Sequence, residues 1–136
     1  METTSTLALG IELHLSTTGD GGRATSVTKG LSEAHRFKYR PNWGLPGWAV
    51  GEQAGAPVLA FSRSEVVPGH TVHAVIVPLA ADKVPDWFKL APGDLLRLYE
   101  GPRICGHATV TWVEASTWPM PSEAQDRFVQ RLRHDS

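Results

Sequence analysis

Residues 10–28 read GIELHLSTTGDGGRATSVT, and the character of this stretch decides the fold class. Its first half alternates, with Ile11, Leu13 and Leu15 on one side and Glu12, His14 and Ser16 on the other. A period of two over such a run marks a half-buried strand. The second half is glycine-rich and carries Arg23, so it reads either as a phosphate cradle or as a corner between strands. A cradle of the Walker type needs a lysine and a hydroxyl at its end and a helix N-terminus behind them. Here Ala24 and Thr25 follow Arg23, and the segment beyond is β-branched. The expectation is a hairpin corner at TTGDGG, with RATSVT returning as the partner strand.

Segments further along repeat this short-strand pattern. HRFKYR (35–40) is a strand candidate ended by Pro41, with Arg36, Lys38 and Arg40 on one face and Phe37 and Tyr39 on the other. PNWGLPGWAVGEQAGA (41–56) is rich in Gly and Pro and reads as a long ordered loop. APVLAFS, HTVHAVIVPL, LLRLYEG and RICGHATVTWV supply further strands, separated by turn signals at Pro68-Gly69 and Pro92-Gly93-Asp94. The expected architecture is all-β: an antiparallel barrel or sandwich of about six or seven short strands. After Pro121 the pattern changes. Ser122 and Gln125 have capping-box spacing, and Phe128, Val129 and Leu132 form an apolar stripe, so one amphipathic helix is expected from about Ser122 to Arg133. The chain thus divides into a flexible N-terminus over 1–9, a barrel over 10–115, and a linker with the helix over 116–136.

A chain of 136 residues suits one domain, and a formal net charge of −1 argues against whole-surface attraction to nucleic acid. The single cysteine permits no internal disulfide and suits a reducing compartment. The opening METTSTLALG lacks the basic and apolar regions of a signal peptide, so a soluble, cytoplasmic protein is expected, with no membrane partner.

Candidate chemistry is sparse. His70 and His73 are three apart, and that odd separation sends them to opposite faces of a strand, so no metal site is expected. Cys105 and His107 are two apart and share a face in a regular strand, as a thiolate–imidazole pair requires, but no third orienting group accompanies them. Catalysis and cofactors are therefore not expected, and a hydrolase using this pair stands only as the third reading. The charge pattern is more informative. Arg23, Lys29, Arg36, Lys38 and Arg40 face a single acid, Glu33, within 18 residues of a near-neutral chain. Such a cluster is either a solvated face or a phosphate-tracking patch with aromatics beside it. Arg127, Arg131 and Arg133 add charge on the helix. Trp43, Trp48 and Trp118 sit in Gly/Pro-rich stretches, as loop pins or as partner anchors.

Taken in order, GGRATSV, YRPNW, VVPGHTVHAVIVPL and LLRLYEGPRICGHATV resemble the motif series of the third domain of elongation factor Tu, over roughly Leu9 to Glu114. The resemblance implies a six-stranded antiparallel barrel of the translation-factor type, non-catalytic, which in that family contacts aminoacyl-tRNA and packs on a GTPase domain. The positions it singles out are Gly21, Gly22, Arg23, Tyr39, Arg40, Asn42 and Trp43, with Glu100, Gly101, Arg103 and Gly106 from the closing hairpin. Asn42-Trp43 stands where the family has glutamine-phenylalanine, and KVPDWFKLAP lengthens the connection before the last hairpin.

The leading functional expectation is an RNA-binding module, with tRNA as partner and DNA not expected. It would engage the nucleic acid through the basic surface around Arg23, Arg36, Lys38 and Arg40, and the RNA- or partner-binding residues as a set are Gly22, Arg23, Arg36, Lys38, Tyr39, Arg40, Asn42, Trp43, Glu100 and Arg103. The alternative is a protein-binding module or immunity-type decoy that docks on a GTPase domain, a ribosomal factor or a toxin. The oligomeric state is left open.

Overall fold

The alternation at Ile11, Leu13 and Leu15 builds a long first strand, and the architecture grows around it. A computed structural model describes residues 3–23, 25–27 and 33–135. Among these, β1 (Thr4–Leu15), β2 (Asn42–Gly44), β3 (Ala54–Gly55), β4 (Val58–Phe61), β5 (Thr71–Ile76), β6 (Leu95–Glu100) and β7 (Arg103–Trp118) precede one helix, α1 (Ser122–Asp135). The strands form one antiparallel sheet in the order β3-β2-β6-β7-β1-β5-β4. Seven strands appear, within the six or seven expected from the turn pattern and one more than the resemblance implied. Pro57 has no N–H to give a ladder, and it separates β3 from β4. The β2–β3 pairing is continued across this break by irregular bonds: Ala56 N to Pro41 O (3.4 Å), Val58 N to Tyr39 O (2.9 Å) and Phe37 N to Val58 O (3.0 Å).

Two apolar cores occupy opposite faces of the sheet. Leu7, Leu9, Ile11, Leu13 and Leu15 of β1 enter the first, with Trp43, Phe61, Ile76, Trp87, Leu96 and Leu98. The second lies under α1, where Phe128, Val129 and Leu132 meet Ala8, Leu59, Val75 and Trp112. Strands β1 and β4 are therefore buried on both faces over much of their length. A bulge makes this double layer work. Gly10 pairs with Trp112 and Ile11 with Val110, leaving Thr111 unpaired. The inserted residue reverses the facing of the residues beyond it. Ala108 and Val110 therefore point into the first core and Trp112 into the second.

Several expectations need correction. Residues 4–9, expected as flexible, are the first half of β1, because Leu7, Ala8 and Leu9 have a core on each side. Ser116–Trp118, expected as linker, end β7 and pair with Thr4–Thr6. Of RATSVT, Ala24 and Thr28 lie outside the described residues, and among the others no named strand forms: Val27 makes an isolated bridge to Val66. HRFKYR is not a strand either. Lys38 N bonds His35 O, and Phe37 takes φ 61°, outside any strand geometry. The cause is competition between two cores. Phe37 turns into the helix-side core, edge-on to Trp118 with ring centroids 4.9 Å apart, whereas Tyr39 packs toward the first core. The 41–56 segment is a loop only in part, since Asn42–Gly44 and Ala54–Gly55 pair as β2 and β3. The helix is where it was expected, but the capping box is not formed. Pro121 O accepts the first helical bond from Gln125 N, and the Gln125 amide donates to Met120 O.

Candidate functional site

The glycine corner is a corner. Thr18–Asp20 form one 3-10 turn, and Gly21 closes it at φ 88°, the left-handed region that favours glycine. The N–H groups of Asp20, Gly21 and Gly22 are spent on Thr17 O, Thr18 O and Thr17 O, leaving no cradle for a phosphate. A side chain at Gly22 would strike the Ser16 carbonyl, so the chain passes too close for anything but glycine. This tight passage delivers Arg23 to one end of the sheet.

Three separate segments meet there. Arg23 Nη1 lies 3.0 Å from Glu100 Oε2, and the Tyr39 hydroxyl donates to the same oxygen at 2.5 Å. The Arg23 guanidinium stands 5.9 Å from the centre of the Tyr39 ring. Arg103 Nη1 reaches Gly22 O at 3.4 Å, and the Cys105 thiol approaches Glu100 Oε1 at 3.9 Å. One carboxylate thus organises a cation, a phenol and a thiol. Burial first, then the hydrogen bond to Glu100 and its charge, hold the Tyr39 phenol far above its ordinary range. Burial, then the Glu100 charge, also raise the Cys105 thiol.

The raised phenol has a consequence for pH. Below the ordinary value of 10.0 both folded and unfolded Tyr39 keep the proton, and the stabilisation is fully present. Above that value unfolded chains ionise while the folded state holds its proton, so stability falls as pH rises. Urea unfolding at about pH 8 and about pH 11 should show a steeper loss for the wild type than for Tyr39→Phe. Equal losses would show that Tyr39 is not held in its protonated form.

The other expected residues divide. Asn42 donates to Gln53, which donates to Gly101 O, tying the 45–53 loop to the β6–β7 turn near the cluster. Trp43 is a core residue, fully buried, with its indole N–H on Ala56 O at 2.9 Å. Arg36 lies on the opposite face, beside α1, bonded to Asp126 at 2.9 Å with its side chain only 12% exposed. Arg40 Nε donates to Phe37 O, and Arg40 and Lys38 are both exposed. Lys29 is outside the described residues. The expected single basic face is therefore broken up: Arg23 and Arg36 each have a carboxylate, on different sides of the sheet. The helix arginines behave likewise. Arg127 and Arg131 both reach Glu114, and Arg131 covers the Trp112 ring at 4.0 Å.

The Cys105–His107 pair does not form. Tyr99 pairs with Ile104 and Leu98 with Gly106, so Cys105 is the extra residue of a bulge. The bulge turns the thiol inward, fully buried, while His107 faces out. A buried thiol with a raised pKa is a poor nucleophile. No group of three or more His, Cys, Asp or Glu is placed to hold a metal among the described residues. No helix among them is long and apolar enough to cross a membrane.

The sequence reading missed Arg97. Strict alternation along LLRLYEG puts Arg97 opposite the inward Leu96 and Leu98, and that signal was available. Its partners were not, because Trp48 O and Ala49 O lie 49 and 48 residues away. No protein-family model matches this chain, and no curated protein matches it.

Proposed function

We propose that the chain is a non-catalytic protein-binding module built as a six-stranded barrel of the translation-factor type. Closure of the barrel is supported by the bonds between 37–41 and 56–58, which make Ala54–Phe61 one bent strand between β2 and β5. The observation that carries the function is the convergence of Gly22, Arg23, Tyr39, Glu100 and Arg103 at one rim. Of these, Gly22, Arg23 and Tyr39 match the segments that in elongation factor Tu lie near the interface with its GTPase domain. A pre-paired cation and a locked phenol offer a partner a fixed polar surface, at little ordering cost. A partner that mimics or replaces a GTPase domain fits this rim.

A second reading, RNA binding, keeps one observation in its favour: Lys38 and Arg40, two residues apart in the chain, are both exposed, and neither has a carboxylate within 4.0 Å among the described residues. Two cations are few for phosphate tracking, because affinity and its salt dependence grow with the number of contacts. Affinity purification from nuclease-treated and untreated lysate separates the two readings. The protein-binding reading expects the same partner from both preparations, and loss of that partner on Arg23→Glu. Recovery of RNA alone, abolished by Lys38→Glu with Arg40→Glu and weakening steeply with salt, would overturn it.

A further inference from the structure

We propose a second recognition site, a carboxylate-binding cleft centred on Arg97 that takes an acidic side chain flanked by an apolar one on a peptide segment of the partner; this rests on the protein-binding reading above. The cleft, about 270 Å³, lies on the outer face of β6 between the 44–48 segment and His107. Arg97 is held there from three sides. Its Nη2 donates to Trp48 O at 2.7 Å and approaches Ala49 O at 3.4 Å, and the guanidinium stands 6.0 Å from the centre of the Tyr99 ring. Gly44 makes the room: a Cβ there would sit 3.0 Å from Arg97 Nε.

These contacts orient the guanidinium without neutralising it, since all of its acceptors are uncharged carbonyls. Arg23, Arg36, Lys89, Arg127 and Arg131 each have a carboxylate within 4.0 Å; among the described residues Arg97 has none. Among the described residues its Nε and Nη1 have no hydrogen-bond partner, and neither atom is sealed from solvent. The opposite member of the ladder, directly across from Arg97, is the exposed His107, and no acid lines the cleft among the described residues. A pre-positioned, uncompensated guanidinium with free Nε and Nη1 donors receives a carboxylate through a charge-assisted hydrogen bond.

The apolar half of the requirement comes from Leu95, two residues before Arg97 on the same face and 67% exposed, with Trp48 half-buried on the far wall. An exposed leucine beside an anchored arginine is a small amphipathic docking point. Charge complementarity selects the occupant: an acidic segment is attracted, and a basic one is repelled.

The test is a random-peptide display selection on the folded protein, followed by direct binding of one recovered peptide. Peptides enriched in Asp or Glu next to Leu, Ile or Phe are expected. Changing the acid of that peptide to its amide, which leaves the protein untouched, should weaken binding at least about tenfold. Arg97→Gln and Leu95→Ala should each weaken it as well, whereas Arg97→Lys should retain part of it. Peptides without acidic enrichment, equal binding of the amide peptide, or an empty selection would each overturn the cleft. None of those results touches the Arg23 rim, because the nuclease-controlled purification with Arg23→Glu reads that surface separately.

Discussion

Gly10→Ala is expected to destabilise the protein by about 3 kcal/mol, although it adds a single methyl group to a strand. The methyl would fall inside the Trp112 indole, which lies flat across Gly10 from the paired strand. Trp112 has nowhere to retreat. Phe128 stacks on it with centroids 5.5 Å apart and an interplanar angle of 17°, and Arg131 covers it at 4.0 Å. Moving the indole therefore moves α1. The expected signature is a lower urea midpoint together with a changed tryptophan spectrum. Trp112→Ala alone should cost about 3 kcal/mol, as large aromatics do when removed from a core. The double variant should cost clearly less than the sum, because the clash disappears with the ring. Strict additivity would show that Gly10 and Trp112 do not compete for space.

Trp43→Ala should be larger still, about 4 kcal/mol. Trp43 is one of the largest fully buried side chains, and its N–H satisfies Ala56 O at the junction of β3 and β4. Truncation leaves a cavity in the first core and an unpaired carbonyl at the break in the strand. Trp43→Phe keeps most of the packing and loses the hydrogen bond, at roughly 1 kcal/mol. This pair also separates stability from binding. If Trp43 were a partner anchor, the folded Trp43→Phe protein would lose its partner. As a core residue, it should retain it.

Much of the strand content was legible because the code for it is local. Alternation found β1, turn signals marked off the runs that became β5, β6 and β7, and a compact apolar run found β4, which is buried on both faces. The failures share one cause. HRFKYR alternates as a strand does, but Phe37 and Tyr39 are claimed by cores on opposite sides of the sheet, and the backbone bends through φ 61° to serve both. Cys105 and His107 have same-face spacing, but one inserted residue separates them. A two-residue period says nothing about where a bulge will fall.

The charged residues followed the same division. The resemblance to the elongation factor Tu domain, not spacing, singled out Tyr39, Glu100 and Arg103 beside Arg23, and the structure brings these together at one rim. Spacing could not say that Arg36 would be taken by Asp126, 90 residues later, because that ion pair exists only once α1 has docked. Nor could it show that Arg97 would be gripped by loop carbonyls while its charge stays uncompensated.

The sequence by itself determined the β-rich class, the turn at Gly21-Gly22 and the C-terminal helix. Each depends on periods and backbone preferences that act within a few residues. Only the tertiary structure decided which faces were buried twice, which cations were neutralised and which were left to meet a partner. Burial and ion pairing are long-range outcomes, settled when segments some 50 to 90 residues apart come into contact.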